Sequence, residues 1–219
     1  AEKYAPAFEK GNEKIHPFFL TSTLSEFVDE KTIVVQDGGD TSGWTEVAMA
    51  RKIQGAAQHL ASGYLGNLGM HQGLAIGAQV ARPDHRVFAV TGDGAIGFNI
   101  QEFDTMVRHN LPIITLVNNN LAWGMSLEYQ KRQPHGLTWV HLADTMRYDL
   151  ICENCGGHGE LVLRPEELRP AIERAIASGK PACINVMTQS MASYRTEAFL
   201  QADGIDDIVM PYYENIRRS

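Results

Sequence analysis

Short apolar runs alternate along the chain with amphipathic segments, and this alternation predicts the fold. Four runs are rich in β-branched and other apolar residues and have the length of strands: residues 32–35, 86–90, 113–117 and Ala182–Met187. Five segments carry apolar residues at intervals of three or four and are predicted to be helices: residues 17–29, 70–81, 100–108, 140–152 and 165–177. Strands that alternate with helices indicate an α/β fold with a doubly wound, mainly parallel sheet and helices on both faces.

The predicted elements divide the chain into three parts. Residues 1–15 are mostly polar with mixed charge and have the character of a linker. Residues 16–188 contain every predicted strand and form one domain, while residues 189–219 show no clear period and are predicted to be a tail or lid. Because the chain begins at Ala1 and not at Met, we expect it to be part of a longer polypeptide and not a separate subunit, the alternative being that only an initiator Met was removed.

Composition and charge narrow the functional class. The 219 residues are 44% hydrophobic and 21% charged, which is enough for one hydrophobic core. The net charge of −7 argues against nucleic acid or an anionic membrane surface as a partner, and no apolar run reaches the ~20 residues of a membrane helix. Three scattered cysteines do not make a disulfide framework, so we expect a reducing, cytoplasmic location.

The most informative motif follows the second predicted strand. Gly92, Gly94 and Gly97 have the spacing of the Gly-x-Gly-x-x-Gly fingerprint of dinucleotide-binding proteins. Two features disfavour a nicotinamide-dependent oxidoreductase. Asp93 would place a carboxylate beside the pyrophosphate, and the next strand leads into Asn118-Asn119-Asn120, not to an acid that could bind a ribose hydroxyl.

A divalent cation between protein and diphosphate would explain both features. Asp93 offers a carboxylate oxygen, the asparagine run offers a neutral amide oxygen, and a nearby backbone carbonyl can be a third ligand for Mg²⁺ or Ca²⁺. The start of the helix after Gly94 offers N–H groups to the phosphates. The alternative is a glycine turn beside an asparagine-rich strand end that binds nothing.

These residues resemble the motif of thiamine diphosphate enzymes. Gly92-Asp93-Gly94 is followed, 27 positions after Asp93, by Asn120 and then by Leu121-Ala122-Trp123-Gly124-Met125. The likeness is greatest to the acetolactate synthase-like group, and within it to benzaldehyde lyase and the 2-hydroxyacyl-CoA lyases. It extends over residues 16–186 and implies the diphosphate-binding domain of such an enzyme.

The resemblance also implies roles for individual residues. Asp93, the Asn120 side chain and the Ala122 carbonyl would bind the metal. The Gly66 carbonyl would accept a hydrogen bond from the aminopyrimidine, and Leu68 would lie under the bent cofactor. The implied cofactor-binding residues are Gly39, Gly66, Leu68, Gly94, Ala95, Asn120, Trp123, Gly124 and Met125.

The family's catalytic glutamate is not found in this sequence. In the family a separate pyrimidine-binding domain supplies it, and Glu46 and Glu102 fall on helices of the diphosphate-binding part. The resemblance therefore implies no catalytic residue within this chain. It implies a partner domain on another segment or chain, in a homodimer, a homotetramer or a hetero-oligomer.

The function implied is that of a lyase, carboligase or related transferase. The substrate would be a small carbonyl compound: a 2-hydroxy ketone, a 2-oxo acid, an aldehyde or a 2-hydroxyacyl-CoA. A 2-oxo acid decarboxylase, an acetolactate synthase and a non-catalytic subunit remain alternatives. Two weaker candidates are His59 and His71, which flank the glycine-rich loop and could reach substrate, whereas Cys152 and Cys155 are predicted to be packing residues and not zinc ligands.

Overall fold

Six parallel strands form the centre of the molecule, in the order β2-β1-β3-β4-β6-β5. The structure, a computed structural model, describes residues 14–131 and 139–201. The strands are β1 (Thr32–Gln36), β2 (His59–Leu60), β3 (Arg86–Gly92), β4 (Ile114–Asn119), β5 (His158–Val162) and β6 (Ala182–Met187). The predicted parallel, doubly wound α/β sheet is confirmed.

Nine α-helices lie within the described residues. They are α1 (Pro17–Ser25), α2 (Gly39–Met49), α3 (His71–Ala81), α4 (Asp93–Ile96), α5 (Glu102–Arg108), α6 (Gly124–Gln130), α7 (Tyr148–Asn154), α8 (Pro165–Ser178) and α9 (Tyr194–Gln201). Two single 3₁₀ turns, Ala56–Gln58 and Gly63–Leu65, flank β2. None of these helices is both long and apolar enough to cross a bilayer.

Alternating side chains of the strands supply two separate cores. On one face Val34, Phe88, Leu116 and Ile184 are buried together with residues of α1 and α8. On the other face the cluster is formed with α3, α5 and α7 and includes Ile33, Val35, Val87, Ala89 and Val117. Burial on both faces explains why the strand sequences are continuously apolar, and it leaves the carboxyl edge of the sheet as the place where polar groups collect.

The predicted helix over 140–152 is wrong in its first half. Residues 140–147 are not helical, because they pair with the loop after β4: the Trp123 N–H donates to the Val140 carbonyl at 2.8 Å, and the Leu142 N–H to that of Leu121 at 2.9 Å. The helix begins only at Tyr148. Tertiary hydrogen bonds therefore override a helical apolar pattern.

Several elements had no prediction, and some boundaries shift. Helices α6 and α9 and strands β2 and β5 were not predicted, and α2 was predicted only as a helix that carries Glu46, without bounds. Helix α1 ends at Ser25, four residues before the predicted end. The predicted linker lies outside the described residues except for Lys14 and Ile15, and the predicted tail lies outside them from residue 202 onward. The described start of the tail folds as α9.

Candidate functional site

The carboxyl ends of β1, β3 and β4 meet at one edge of the sheet and border a cavity of about 640 Å³. Every metal- and cofactor-binding residue implied by the resemblance lines this cavity. They are Gly39, Gly66, Leu68, Asp93, Gly94, Ala95, Asn120, Ala122, Trp123, Gly124 and Met125. Residues up to 86 positions apart in the chain, from Gly39 to Met125, are thus collected at one place.

The predicted metal ligands converge on one backbone N–H. Asp93 is the first residue of α4 and is 4% exposed. Its Oδ2 accepts a hydrogen bond from the Ala122 N–H at 3.1 Å, and Asn120 Oδ1 accepts from the same N–H at 3.1 Å. The carboxylate and amide oxygens are therefore close enough to ligate one ion. The described residues contain no group of three His, Cys, Asp or Glu side chains suited to a metal, so a metal site here would need neutral oxygens in addition to Asp93.

The electrostatics of Asp93 favour a cation. Burial raises the pKa of this carboxyl to about 7, although the N–H groups of Gly94 and Ala122 oppose the shift by donating to it. A buried carboxylate with no positive partner is costly, and a divalent cation would remove that cost. Hard oxygen donors of this kind suit Mg²⁺ or Ca²⁺, so the residues present fit the predicted ion.

Hydrogen bonds hold both the start of α4 and the loop after β4 in place. The Tyr148 hydroxyl donates to the Asp93 carbonyl at 3.2 Å. Leu121 adopts the left-handed conformation at φ 62°, and its N–H donates to Asn119 Oδ1 at 3.2 Å. Such a conformation is costly for leucine and persists where its surroundings impose it. The ligand loop is consequently pre-formed.

Three glycines bring backbone close to the cavity. A methyl group on Gly39 would lie 2.8 Å from Met125 Sδ, and one on Gly94 would lie 2.8 Å from the Trp123 ring. On Gly124 it would lie 2.7 Å from the side-chain nitrogen of Asn120. The side chains of Met125, Trp123 and Asn120 therefore pack directly against the backbone at these glycines. Backbone without a side chain of its own is a surface at which a diphosphate can approach N–H groups. The residues fit a diphosphate.

The loop of Gly66 and Leu68 forms another part of the cavity wall. Gly66 is left-handed at φ 59° and Leu68 is half-buried. This loop leads into α3, where His71 Nδ1 lies 2.9 Å from Asp37 Oδ2 with both side chains buried. Burial alone would raise the pKa of Asp37, but the hydrogen bond and charge of His71 bring it below its ordinary value.

The histidine candidates do not reach the cavity. His71 is fully buried in the pair with Asp37, and neither His71 nor His59 is among the residues that line the cavity. Burial lowers the pKa of His59, which favours the neutral imidazole. Both are thus structural residues, and the pattern of histidines flanking a loop did not distinguish this from a substrate contact. Cys152 is buried and unpaired as predicted for a packing residue, and burial raises the pKa of its thiol to about 12.

Four polar residues of the cavity wall, on β1, α2 and α9, were not predicted from the sequence. Gln36, Asp40, Glu46 and Arg195 line the cavity. Asp40 Oδ1 accepts hydrogen bonds from the N–H of Ser193 at 2.7 Å and from the Thr196 hydroxyl at 2.6 Å. The start of the predicted tail is therefore a fixed part of the wall, attached to the first turn of α2.

Similarity to known proteins agrees with this geometry. Residues 37–186 match the family model described as "Thiamine pyrophosphate enzyme, C-terminal TPP binding domain". An acetolactate synthase large subunit from Mycobacterium tuberculosis is 39% identical over 181 residues, which are 82% of this chain and 32% of that protein. Human 2-hydroxyacyl-CoA lyase 2 is 37% identical over 181 residues, 80% of this chain and 28% of its own length.

A solved structure shares the fold. The thiamine diphosphate-dependent 4-hydroxybenzoylformate decarboxylase of Rhodococcus jostii RHA1 superposes with a TM-score of 0.76 at 22% identity, over 84% of this chain and 34% of that one. The chain thus spans about a third of the length of the relatives it matches. With the family model covering most of the sheet and the cavity, this chain belongs to the thiamine diphosphate-dependent enzymes and contains their C-terminal cofactor-binding domain.

Proposed function

We propose that the chain binds thiamine diphosphate through Mg²⁺ and forms the diphosphate-binding half of the active site of a C–C lyase or carboligase. The observation that supports this most strongly is the convergence of Asp93 Oδ2 and Asn120 Oδ1 on the Ala122 N–H at the carboxyl edge of the sheet. Substrates would be 2-hydroxy ketones, 2-oxo acids, aldehydes or 2-hydroxyacyl-CoA. The names of the relatives, an acetolactate synthase and a 2-hydroxyacyl-CoA lyase, both describe chemistry at a carbonyl carbon.

Each part of the cavity has its own task in this proposal. Asp93, Asn120 and the Ala122 carbonyl would hold the cation, and Gly39, Gly94 and Gly124 together with Ala95, Trp123 and Met125 would surround the diphosphate. When bound, thiamine diphosphate supplies an electron sink for the bond broken or formed next to a carbonyl. The phosphate charge would be compensated by backbone N–H groups and the cation and not by a basic patch, which agrees with the negative net charge of the chain.

The opposite part of the cavity would orient the rest of the cofactor. The Gly66 carbonyl would accept a hydrogen bond from the aminopyrimidine, and Leu68 would pack beneath the bent molecule. The left-handed backbone at Gly66 and the buried pair between His71 and Asp37 fix this loop relative to the diphosphate wall. Orientation of this kind lowers the entropic cost of reaction.

The active site would be completed by another domain. Glu102 does not line the cavity. Glu46 does, but it already accepts hydrogen bonds from Gln36 and Tyr194 and pairs with Arg195. We therefore propose that a pyrimidine-binding domain on another segment or chain supplies the activating glutamate, in a homodimer, homotetramer or hetero-oligomer. A cytoplasmic location remains a prediction.

Exchange of the C2 proton of thiamine diphosphate tests this function. With Mg²⁺ present, we expect slow exchange on the chain alone and rapid exchange in the complete enzyme that contains it, and Asp93→Ala should return the complete enzyme to the slow rate. Rapid exchange on the chain alone would contradict the composite site. Slow exchange in the complete enzyme, with no turnover of any carbonyl substrate, would favour the non-catalytic subunit.

A further inference from the structure

One part of the cavity wall has no role in the proposed cofactor site. It is lined by Gln36, Glu46 and Arg195. Together with Tyr194, which contacts both Glu46 and Arg195, these residues are here called the Arg195 cluster. Gln36 Nε2 and Arg195 Nη2 both contact Glu46 Oε1, at 2.9 Å and 2.6 Å, and the Tyr194 hydroxyl donates to Glu46 Oε2 at 2.8 Å. The amide and the guanidinium are thus held side by side at one point of the cavity.

Two polar groups of the cluster keep unused bonding capacity. The Gln36 side chain is 3% exposed, lines the cavity, and its Oε1 is buried without a hydrogen-bond partner among the described residues. Arg195 bonds Glu46 through Nη2 and Tyr194 through Nε, and its side chain is 52% exposed, so the guanidinium keeps further N–H donors accessible to a ligand. A buried acceptor without a donor is costly, so Gln36 Oε1 indicates a bound ligand with an O–H or N–H group, or an ordered water.

Arg195 is also the only basic residue among the described residues that line the cavity. The acidic ones are Asp40, Glu46 and Asp93. The three donors on Glu46 disperse its negative charge, and the proposed cation offsets Asp93. Among the side chains of the described residues that line this cavity, Arg195 is therefore the one that can form a charge-assisted hydrogen bond with an anionic substrate.

The guanidinium is carried by a fixed segment. Ser193 and Thr196 on either side of it are fully buried, and both donate to Asp40 on α2. Gly43 allows this contact, because a methyl group there would lie 2.6 Å from Ser193 Oγ. A pre-positioned arginine loses less entropy on binding an anion than a mobile one does.

We infer that the Arg195 cluster binds the carboxylate of the substrate and so determines its class. Arg195 pairs with the carboxylate, and Gln36 Oε1 accepts a hydrogen bond from a hydroxyl of the same ligand where it has one. The preferred substrates are then 2-oxo acids and hydroxylated oxo acids, ahead of uncharged aldehydes and thioesters. This inference rests on the proposed function and selects among the substrate classes it leaves open.

Paired substrates that differ by a carboxylate test the inference in the complete holoenzyme loaded with thiamine diphosphate and Mg²⁺. Pyruvate is compared with acetaldehyde, and benzoylformate with benzaldehyde. We expect Arg195→Met to raise KM for the 2-oxo acids by about 10- to 100-fold, the value of a charge-assisted hydrogen bond, and to leave KM for the aldehydes within about twofold. Arg195→Lys should recover part of the loss. Arg174→Met, which breaks an exposed pair with Glu160, is the control and should change neither KM.

Binding without turnover supplies a second readout. Methyl acetylphosphonate carries one negative charge, and its dimethyl ester carries none. Tryptophan fluorescence titration of the wild-type holoenzyme should show the anion binding at least about tenfold more tightly, and Arg195→Met should abolish the difference. Because the comparison of the two phosphonates needs only the wild type, it still tests the inference if the Arg195→Met variant does not fold.

Different results would contradict the carboxylate site and the proposed function. Three results would overturn the Arg195 cluster as a carboxylate site and leave the proposed function standing. They are equal affinity of the wild type for the two phosphonates, turnover of aldehydes alone, and an unchanged KM for 2-oxo acids in Arg195→Met. A holoenzyme that binds thiamine diphosphate but acts on none of the four substrates and binds neither phosphonate overturns both.

Discussion

Replacement of Asp93 by asparagine should stabilise the metal-free protein at neutral and alkaline pH while removing its metal site. The carboxyl is 4% exposed, and burial raises its pKa from 3.8 to about 7. At 1.36 kcal/mol for each pH unit between these values, holding Asp93 ionised in the fold costs about 4 kcal/mol. Asparagine has no such cost, but its NH₂ cannot accept the hydrogen bond from the Ala122 N–H, which loses about 1 kcal/mol.

The pH dependence has a definite sign. Because the folded-state pKa is raised, folded protein binds more protons than unfolded protein between about pH 3.8 and 7. The contribution of Asp93 to stability is therefore complete below about pH 4 and is lost as the pH rises through 7. Relative to Asp93→Asn, the wild type should be up to about 1 kcal/mol more stable below pH 4 and about 3 kcal/mol less stable at pH 8, so the two curves cross at about pH 4.5.

Urea unfolding between pH 4 and pH 8 with a chelator present measures this difference. Asp29→Asn is the control, since Asp29 is exposed and a hydrogen bond from Thr32 lowers its pKa. Replacement of Asp29 should lower the free energy of unfolding more at pH 8 than at pH 4, which is the opposite of the pH dependence expected for Asp93→Asn. A free-energy difference between wild type and Asp93→Asn that does not change with pH would refute the claim that Asp93 is a buried, uncompensated carboxyl in the metal-free protein.

Two further predictions concern the walls of the cavity. Gly94→Ala should weaken thiamine diphosphate binding at least about tenfold in calorimetry, because the methyl group meets the Trp123 ring at 2.8 Å. The control Gly73→Ala has open space within helix α3, so it should keep the affinity and stabilise the fold by up to about 1 kcal/mol. His71→Leu should cost about 3 kcal/mol in urea unfolding at pH 7, since it leaves Asp37 buried without its partner, and a loss under 1 kcal/mol would show that the pair is not structurally important.

The sheet and the metal loop could be predicted because local sequence determines them. Strands buried on both faces are continuously apolar, so β1, β3, β4 and β6 can be recognised in the sequence. Asp93 follows β3 and Asn120 follows β4, and because these two parallel strands are neighbours, both residues lie at the same edge of the sheet. The spacing of these two residues is a property of the chain alone. Their closeness to the Ala122 N–H needed only the correct sheet order.

The start of helix α2 could not be predicted, because the glycines of its first half serve tertiary contacts. Gly39 and Gly43 weaken a helix by intrinsic preference, yet Met125 and Ser193 leave no room for a larger side chain at either position. The glycines therefore indicated a loop where the structure has a helix. Asp40 in the first turn was the one local signal for its start.

The Arg195 cluster escaped detection for a related reason. No local period marks residues 189–201, and Arg195 reaches the cavity only because Asp40 holds Ser193 and Thr196 from a distance of more than 150 positions in the chain. Residues 140–147 were wrongly predicted as helix for the same reason. The Val140 carbonyl accepts a hydrogen bond from the Trp123 N–H, a distant contact that the local pattern does not show.

The affinity for thiamine diphosphate with and without Mg²⁺ tests the central claim most directly. Isothermal titration calorimetry of the protein should show binding with Mg²⁺, at least about 100-fold weaker binding with a chelator, no dependence on Mg²⁺ in Asp93→Ala, and no binding of NAD. Equal affinity with and without the metal, or binding of NAD in place of thiamine diphosphate, would contradict the assignment of Asp93, Asn120 and Ala122 as the ligands that join cofactor and protein.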